Sequence, residues 1–392
     1  MTVWLATPML LMEYRHHPER WNELACHDGQ DSEGRWRDTH ASARYRLLIT
    51  LQYHHQIEDK NLVHFLFQQE VARHQQEPFQ GYLPPLELAT YLLALFPQVE
   101  HVWDFYAAKT ANFDTYCGYS TISLVSSGIK ETLTYIRATV HPRQKDVQKL
   151  LMHKRECIYN EGDLRQWWEQ QSTKFPQAET EETAETMVGR AMSLEDMDAA
   201  RYWLVQWRET SPATSSTRYY QVQCYSWLKD WDAAVSVQKE RIEAEAESKY
   251  SRVTNWCGLA DLYRESDNIQ RAWQAVQEAQ RAAGELSTWL NSGIPRSLLI
   301  TGLLIAKAAL HDAALRTEIF QWAMNLLQRG CTSSWQVLQL AEEIAIHCED
   351  VEALHWLEQH EEVEVKRFLA PEIRDTWREV RDDLRSRKQE KK

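Results

Sequence analysis

Glycine and proline are scarce in this chain, 12 and 11 residues in 392. A many-stranded fold needs Gly-bearing turns at short intervals, so the scarcity points to helices joined by brief connections. No CxxC pair occurs, and the seven cysteines are odd in number and widely spaced. That pattern excludes a disulfide framework or a thiolate zinc site and indicates reduced thiols in a cytoplasmic protein. No apolar run reaches the roughly 18 residues of a membrane span. The nearest, LLITGLLIAKAAL from Leu298, is interrupted by Lys307. The short apolar run at the N-terminus has no basic residue before it, so it does not read as a signal peptide. Basic residues are also outnumbered. A net charge of −13 argues against general nucleic-acid binding, which depends on Lys and Arg, and in favour of protein partners.

Tryptophan, by contrast, is abundant, at 17 residues. A helical array needs bulky wedges between its layers, and packing is the expected role for most of them. Residues 1–38 show no clear period and end in the polar run CHDGQDSEGRWRD, an expected exposed loop. Helical patterning begins at about Ala41–Glu77, with a break near Glu58–Asn61, and continues over Leu86–Phe96, Val99–Tyr116 and Ile122–Val140. Residues 1–142 are therefore expected to form a helical N-terminal region, distinct from the remainder of the chain.

From residue 143 the chain reads as paired helices. In TNWCGLADLYRESDNIQRAWQAVQEAQ, apolar residues recur at Trp256, Leu259, Ala260, Tyr263, Ala272, Val276 and Ala279. This spacing resembles the tetratricopeptide repeat, in which small residues let two antiparallel helices approach while bulky ones fill the space beside them. The small residue opening each second helix recurs at Ala200, Ala234 and Ala272, steps of 34 and 38 residues, and Trp167 lies 33 residues before Ala200. The four extra residues are expected to lengthen a second helix through KERIEAEAESKY. Gly162–Asp163, Glu195–Asp196, Lys229–Asp230, Asp267–Asn268 and Glu349–Asp350 each fall where an Asp or Asn can cap a second helix. Two further pairs are expected between residues 298 and 358. The segment from Pro371 is expected to cap the array before a charged tail. The expected fold is all-α: a helical region to residue 142, then a right-handed repeat solenoid over 143–392.

Chemical motifs are few. There is no GxSxG, no Gly-rich phosphate loop and no HExxH. His54 with Glu58, and Glu70 with His74, are spaced four apart and give a metal-dependent enzyme in the N-terminal region as one alternative. The acidic run QAETEETAETM reads as a linker whose charges favour the start of the next helix. No cofactor, catalytic residue or metal site is expected.

The resemblance implies a function. In tetratricopeptide proteins the first helix of each pair lines a concave groove that takes a protein or peptide. Carried over by position, Tyr219, Gln223 and Trp227, then Cys257, Asp261 and Arg264, face that groove, with Met192, Tyr159 and Glu156 from the earlier units. Trp256, Leu259 and Tyr263 are the scaffold. Aromatic anchors beside a few polar groups suit peptide or helix recognition. The set has no Lys and Asn ladder of the kind that grips a C-terminal carboxylate. The implied role is a non-enzymatic bacterial adaptor or regulator. A second alternative, on architecture, is a helical-bundle phosphatase of response regulators, with Gln56, Gln68 or Gln69 aligning water.

Overall fold

The computed structural model describes residues 8–368 except 31–33, 77–80, 155, 246–247, 310 and 331–333. The expected capping segment from Pro371 lies outside these residues. The fold is all-α. Among the described residues the only strands form two short antiparallel hairpins, Asp28–Gln30 with Trp36–Asp38 and Met152–His153 with Glu156–Cys157. The chain divides into two compact units, Met1–Trp207 and Arg208–Lys392.

The first unit opens with α1 (Pro8–His16) and a 3-10 turn, Pro18–Leu24, where no period was legible. The polar run beyond it is partly a hairpin. α2 (Ala41–His54) and α3 (Lys60–Gln76) come next, separated at the expected break by a 3-10 turn, Ile57–Asp59. α4 (Pro84–Ala94) starts on a proline, whose missing N–H costs nothing in a first turn. The helix expected over Val99–Tyr116 is interrupted: a 3-10 turn, Val99–His101, leads into α5 (Val102–Lys109), and Asn112 caps a separate α6 (Phe113–Gly118). α7 (Ile129–Ala138) and α8 (Gln144–Leu151) precede the second hairpin.

Two buried ionic clusters organise this unit. Arg44 on α2 is fully buried and donates to Glu70 on α3 at 2.8 Å, to the carbonyl of Leu24 at 3.2 Å and to Asp38. Asp38 also accepts the backbone N–H groups of His27 and His40. One guanidinium thus joins a hairpin, a 3-10 turn and two helices. The second cluster centres on Arg190 of α10 (Ala184–Ser193), which pairs with Glu182 at 2.7 Å and donates to Gln52 Oε1 at 2.8 Å and to the Tyr53 hydroxyl. Tyr53 in turn donates to Glu182 at 2.6 Å. Glu182 belongs to the acidic run read as a linker; instead its side chain is buried.

α9 (Glu161–Lys174) departs from the expected pairing. Asn160 caps it, accepting from Gly162 and Asp163, so Gly162–Asp163 is the first turn of a helix and not a connection between two. The element before α9 is the second hairpin.

Helix hairpins then run in sequence: α10 with α11 (Met197–Thr210), α12 (Ser215–Trp227) with α13 (Trp231–Ala244), α14 (Lys249–Glu265) with α15 (Ile269–Gly284), α16 (Ile294–Ala308) with α17 (Ala313–Gln328), and α18 (Trp335–Cys348) with α19 (Val351–Phe368). Four of the five connections share one geometry. Glu195, Lys229, Asp267 and Glu349 adopt the left-handed conformation, φ 56° to 59°. The residue after each returns its N–H to a carbonyl five positions earlier, as Asp230 does to Tyr225 and Asn268 to Tyr263. Asp196, Asp230 and Asp350 then cap the second helix through their carboxylates. The four extra residues do not lengthen the second helix. α13 has 14 residues, like α11, whereas α14 has 17 against 13 in α12. Ser248 caps α14 by accepting from Ser251, which starts the helix early.

Within the second unit, α14 packs on α15 and α16, and α16 on α17 and α18. Leu259, Ala260, Tyr263, Ala272, Val276 and Ala279 are all buried, as the spacing predicts. Trp256 is not: it is half-buried at the edge of the core. The central wedges are Trp273 and Trp322, whose rings meet edge to face at 5.1 Å. Gly302 leaves room on α16 for the Trp322 ring. Both indole N–H groups are satisfied, by Glu318 at 2.8 Å and Gln280 at 2.7 Å.

Candidate partner-binding surface

α12 presents Tyr219, Gln223 and Trp227 at four-residue steps, one helical face. Tyr219 is 45% exposed and Gln223 is exposed, while Trp227 is half-buried. The Tyr219 ring is held in place: Tyr220 meets it edge to face at 5.5 Å, and the Arg241 guanidinium from α13 lies 5.2 Å from its centroid. Arg241 sits 3.8 Å from Glu245, which accepts from Ser215 at the start of α12 and from Asn255 of α14. The aromatic is therefore exposed yet flanked by a neighbour on its own helix and by Arg241 of α13.

On α14, Asp261 and Arg264 are 3.6 Å apart, and Arg264 pairs with Glu265 at 2.7 Å. Its charge is largely answered within its own helix. Burial pushes the Asp261 carboxyl up, against the opposing pull of Arg264, although 45% of its side-chain surface still meets solvent. Cys257 does not belong to the face assigned to it. It is buried in the core, and burial pushes its thiol up to about 12. A buried, protonated thiol offers neither a contact nor a nucleophile.

The earlier contributions lie in the first unit. Met192 is half-buried near the end of α10, a first helix as expected. Tyr159 and Glu156 are not on a first helix: Glu156 is in the second hairpin and Tyr159 in the loop before α9. The local reason is again Asn160, whose cap delays the helix until Glu161. In the second unit the expected residues that remain accessible are Tyr219, Gln223 and Trp227 on α12 and Asp261 and Arg264 on α14, the two helices being joined through α13.

A second feature of the same unit has no signature in the sequence. A cleft of about 640 Å³ opens between α13 and the α14–α15 connection. Lys239 and Arg271 each place their charge 6.0 Å from the Tyr263 ring, from opposite helices. The lining carries both signs of charge, Lys229, Lys239 and Arg271 together with Asp230 and Asp232. Because Lys239, Tyr263 and Arg271 come from three helices, no linear spacing marks them.

The residues of the two enzymatic alternatives are placed differently. His74 Nδ1–H donates to the Glu70 carbonyl at 2.8 Å, and its Nε2 accepts from Leu83 at 3.2 Å. Both ring nitrogens are used, and the Glu70 carboxylate is bound to Arg44, so this pair is poorly placed to ligate a metal. His54 ends α2 and Glu58 lies in the 3-10 turn that follows, both exposed, so they do not share one helix face. Of the three glutamines, Gln56 caps the 3-10 turn, Gln68 is exposed, and Gln69 accepts the N–H of Cys26 at 2.9 Å. None of the three is buried.

No family model, curated protein or solved structure matches this chain. The site rests on its own geometry. Among the described residues no helix is long and apolar enough to cross a membrane.

Proposed function

We propose that the helix hairpins are tetratricopeptide-like repeats and that the chain is a non-enzymatic adaptor or regulator binding a protein or peptide on the α12–α14 face. The observation that carries this reading is the Tyr219–Gln223–Trp227 row on α12, with its leading aromatic exposed and already braced. A side chain fixed before binding loses little entropy on contact, and Tyr and Trp dominate the energetics of such surfaces. The Lys239–Tyr263–Arg271 cleft, which Asp230 and Asp232 also line, supplies a second contact for polar or charged residues of the partner. Arg264 contributes less than its position implies, because Asp261 and Glu265 already neutralise it. Free thiols at the six described cysteines support a reducing, cytoplasmic setting.

The test is capture of partners by the intact protein and by Tyr219→Ala and Trp227→Ala. Each change is expected to weaken retention of the specific partner by roughly 10-fold or more, the size of an interface anchor, with the helical circular dichroism unchanged. Retention equal to wild type in both variants rules the surface out.

A further inference from the structure

We propose that His64, His101 and Asp104 hold a divalent transition-metal ion of the zinc class, with solvent completing its coordination. The site lies in the first unit, between α3 and the start of α5, and is independent of the α12–α14 surface. One ligand atom from each residue comes within 4.8 Å of the others. Asp104 Oδ2 lies 3.0 Å from His64 Nε2 and 3.2 Å from His101 Nδ1. Ligands about 2.0–2.2 Å from a tetrahedral ion stand roughly 3.4 Å from one another, so both carboxylate–imidazole edges are near coordination length. The remaining edge closes by a small swing of His64, the most exposed of the three at 32%.

Packing fixes the other two ligands. Phe67 of α3 meets Phe105 of α5 edge to face at 5.6 Å, one turn from His64 and next to Asp104. His101 is buried, with its ring against Phe105 and that of His64. His101 and Asp104 are three residues apart, which brings their side chains to one side of the helix start.

The contacts around the cluster set what each ligand atom is free to do. His101 turns Nδ1 toward Asp104, and its Nε2, on the far side of the ring, is buried without a protein partner. His64 Nε2 faces both Asp104 Oδ2 and the Gln68 amide nitrogen, the latter at 3.2 Å. One ring nitrogen cannot donate to a carboxylate and accept from an amide at once. Turning the Gln68 amide so that its oxygen faces inward removes the conflict with either a proton or a cation on His64 Nε2, so Gln68 leaves that nitrogen open to an ion. Two imidazoles with one carboxylate are a donor set that zinc uses in sites that keep an open position, and the partial exposure of His64 and Asp104 leaves that side to water.

The probe is Co²⁺ added to the chelator-stripped full-length protein, followed by visible absorption and displaced with Zn²⁺. The expected result is one equivalent bound, with affinity at least about 10-fold weaker in His64→Ala and in Asp104→Asn. His64→Ala changes a half-exposed side chain, and circular dichroism checks that it folds. Failure of the wild type to bind one equivalent, or titrations left unchanged by both substitutions, overturns the proposal.

Discussion

Replacing Arg44 by methionine lowers the stability of the first unit by about 3–5 kcal/mol, the cost of breaking a buried ion pair by removing one partner. Methionine keeps much of the volume but leaves Asp38 and Glu70 as buried carboxylates with no cation. Urea denaturation of the intact chain followed by circular dichroism measures the loss; a change below about 1 kcal/mol contradicts the account. Restoring balance separates charge from packing. Arg44→Met combined with Asp38→Asn and Glu70→Gln should recover much of the deficit, because no uncompensated charge remains.

The same cluster sets an acid limit. Burial alone raises the Asp38 carboxyl, but the Arg44 ion pair and the N–H groups of His27 and His40 overcome it and hold it below the ordinary range. A carboxyl depressed in the folded state contributes stability that is fully present above its unfolded value, near pH 4. That contribution is lost as pH falls through the folded value. Acid melting of the Arg44→Met variant should lack this component.

Arg190→Ala is the second large effect, also about 3–5 kcal/mol. Arg190 and Glu182 side chains are 3% and 1% exposed, and Gln52 and Tyr53 bond to both. Without the guanidinium, Glu182 is an unpaired buried charge beside a Tyr53 hydroxyl that cannot neutralise it. The loss is local as well as global. Hydrogen exchange should quicken in α10 and in the last turn of α2, while α16–α19 keep their protection. Exchange in α10 that matches wild type sinks this description of the network.

Much of the hairpin series was legible because its signals are local. An Asp or Asn placed just after a helix can cap the next one, and four of the five connections found this way contain the left-handed residue. The fifth, Gly162–Asp163, failed because Asn160 offers the same chemistry two residues earlier. Small residues at Ala260 and Ala272 mark close helix approach for the same local reason. Trp256 shows the limit: bulk at the right spacing does not say which tryptophan a neighbouring pair will cover, and Trp273 and Trp322 are the ones that meet at the centre.

The first unit was less legible because tertiary contacts decide it. Charged residues are ordinarily read as surface, yet Arg44, Asp38, Glu70, Arg190 and Glu182 are interior. Their partners lie on other elements, so no window of sequence holds the pattern. His64, His101 and Asp104 escape a linear reading for that reason, while the evenly spaced His54 and Glu58 stand out in the sequence and do not converge. On the binding surface, the row on α12 is legible from helical phase. The Arg241 brace and the Lys239–Tyr263–Arg271 cleft required the packing of α13 against α14 and α15.

The claim that α12 carries the partner surface is tested most directly by placing a photo-crosslinking amino acid at position 223, an exposed site in the middle of the row, in the full-length protein inside cells. One discrete polypeptide should link there, and the link should disappear when Trp227→Ala is added. A cross-link at position 223 that Trp227→Ala leaves intact, or no polypeptide linked at all, would contradict the account.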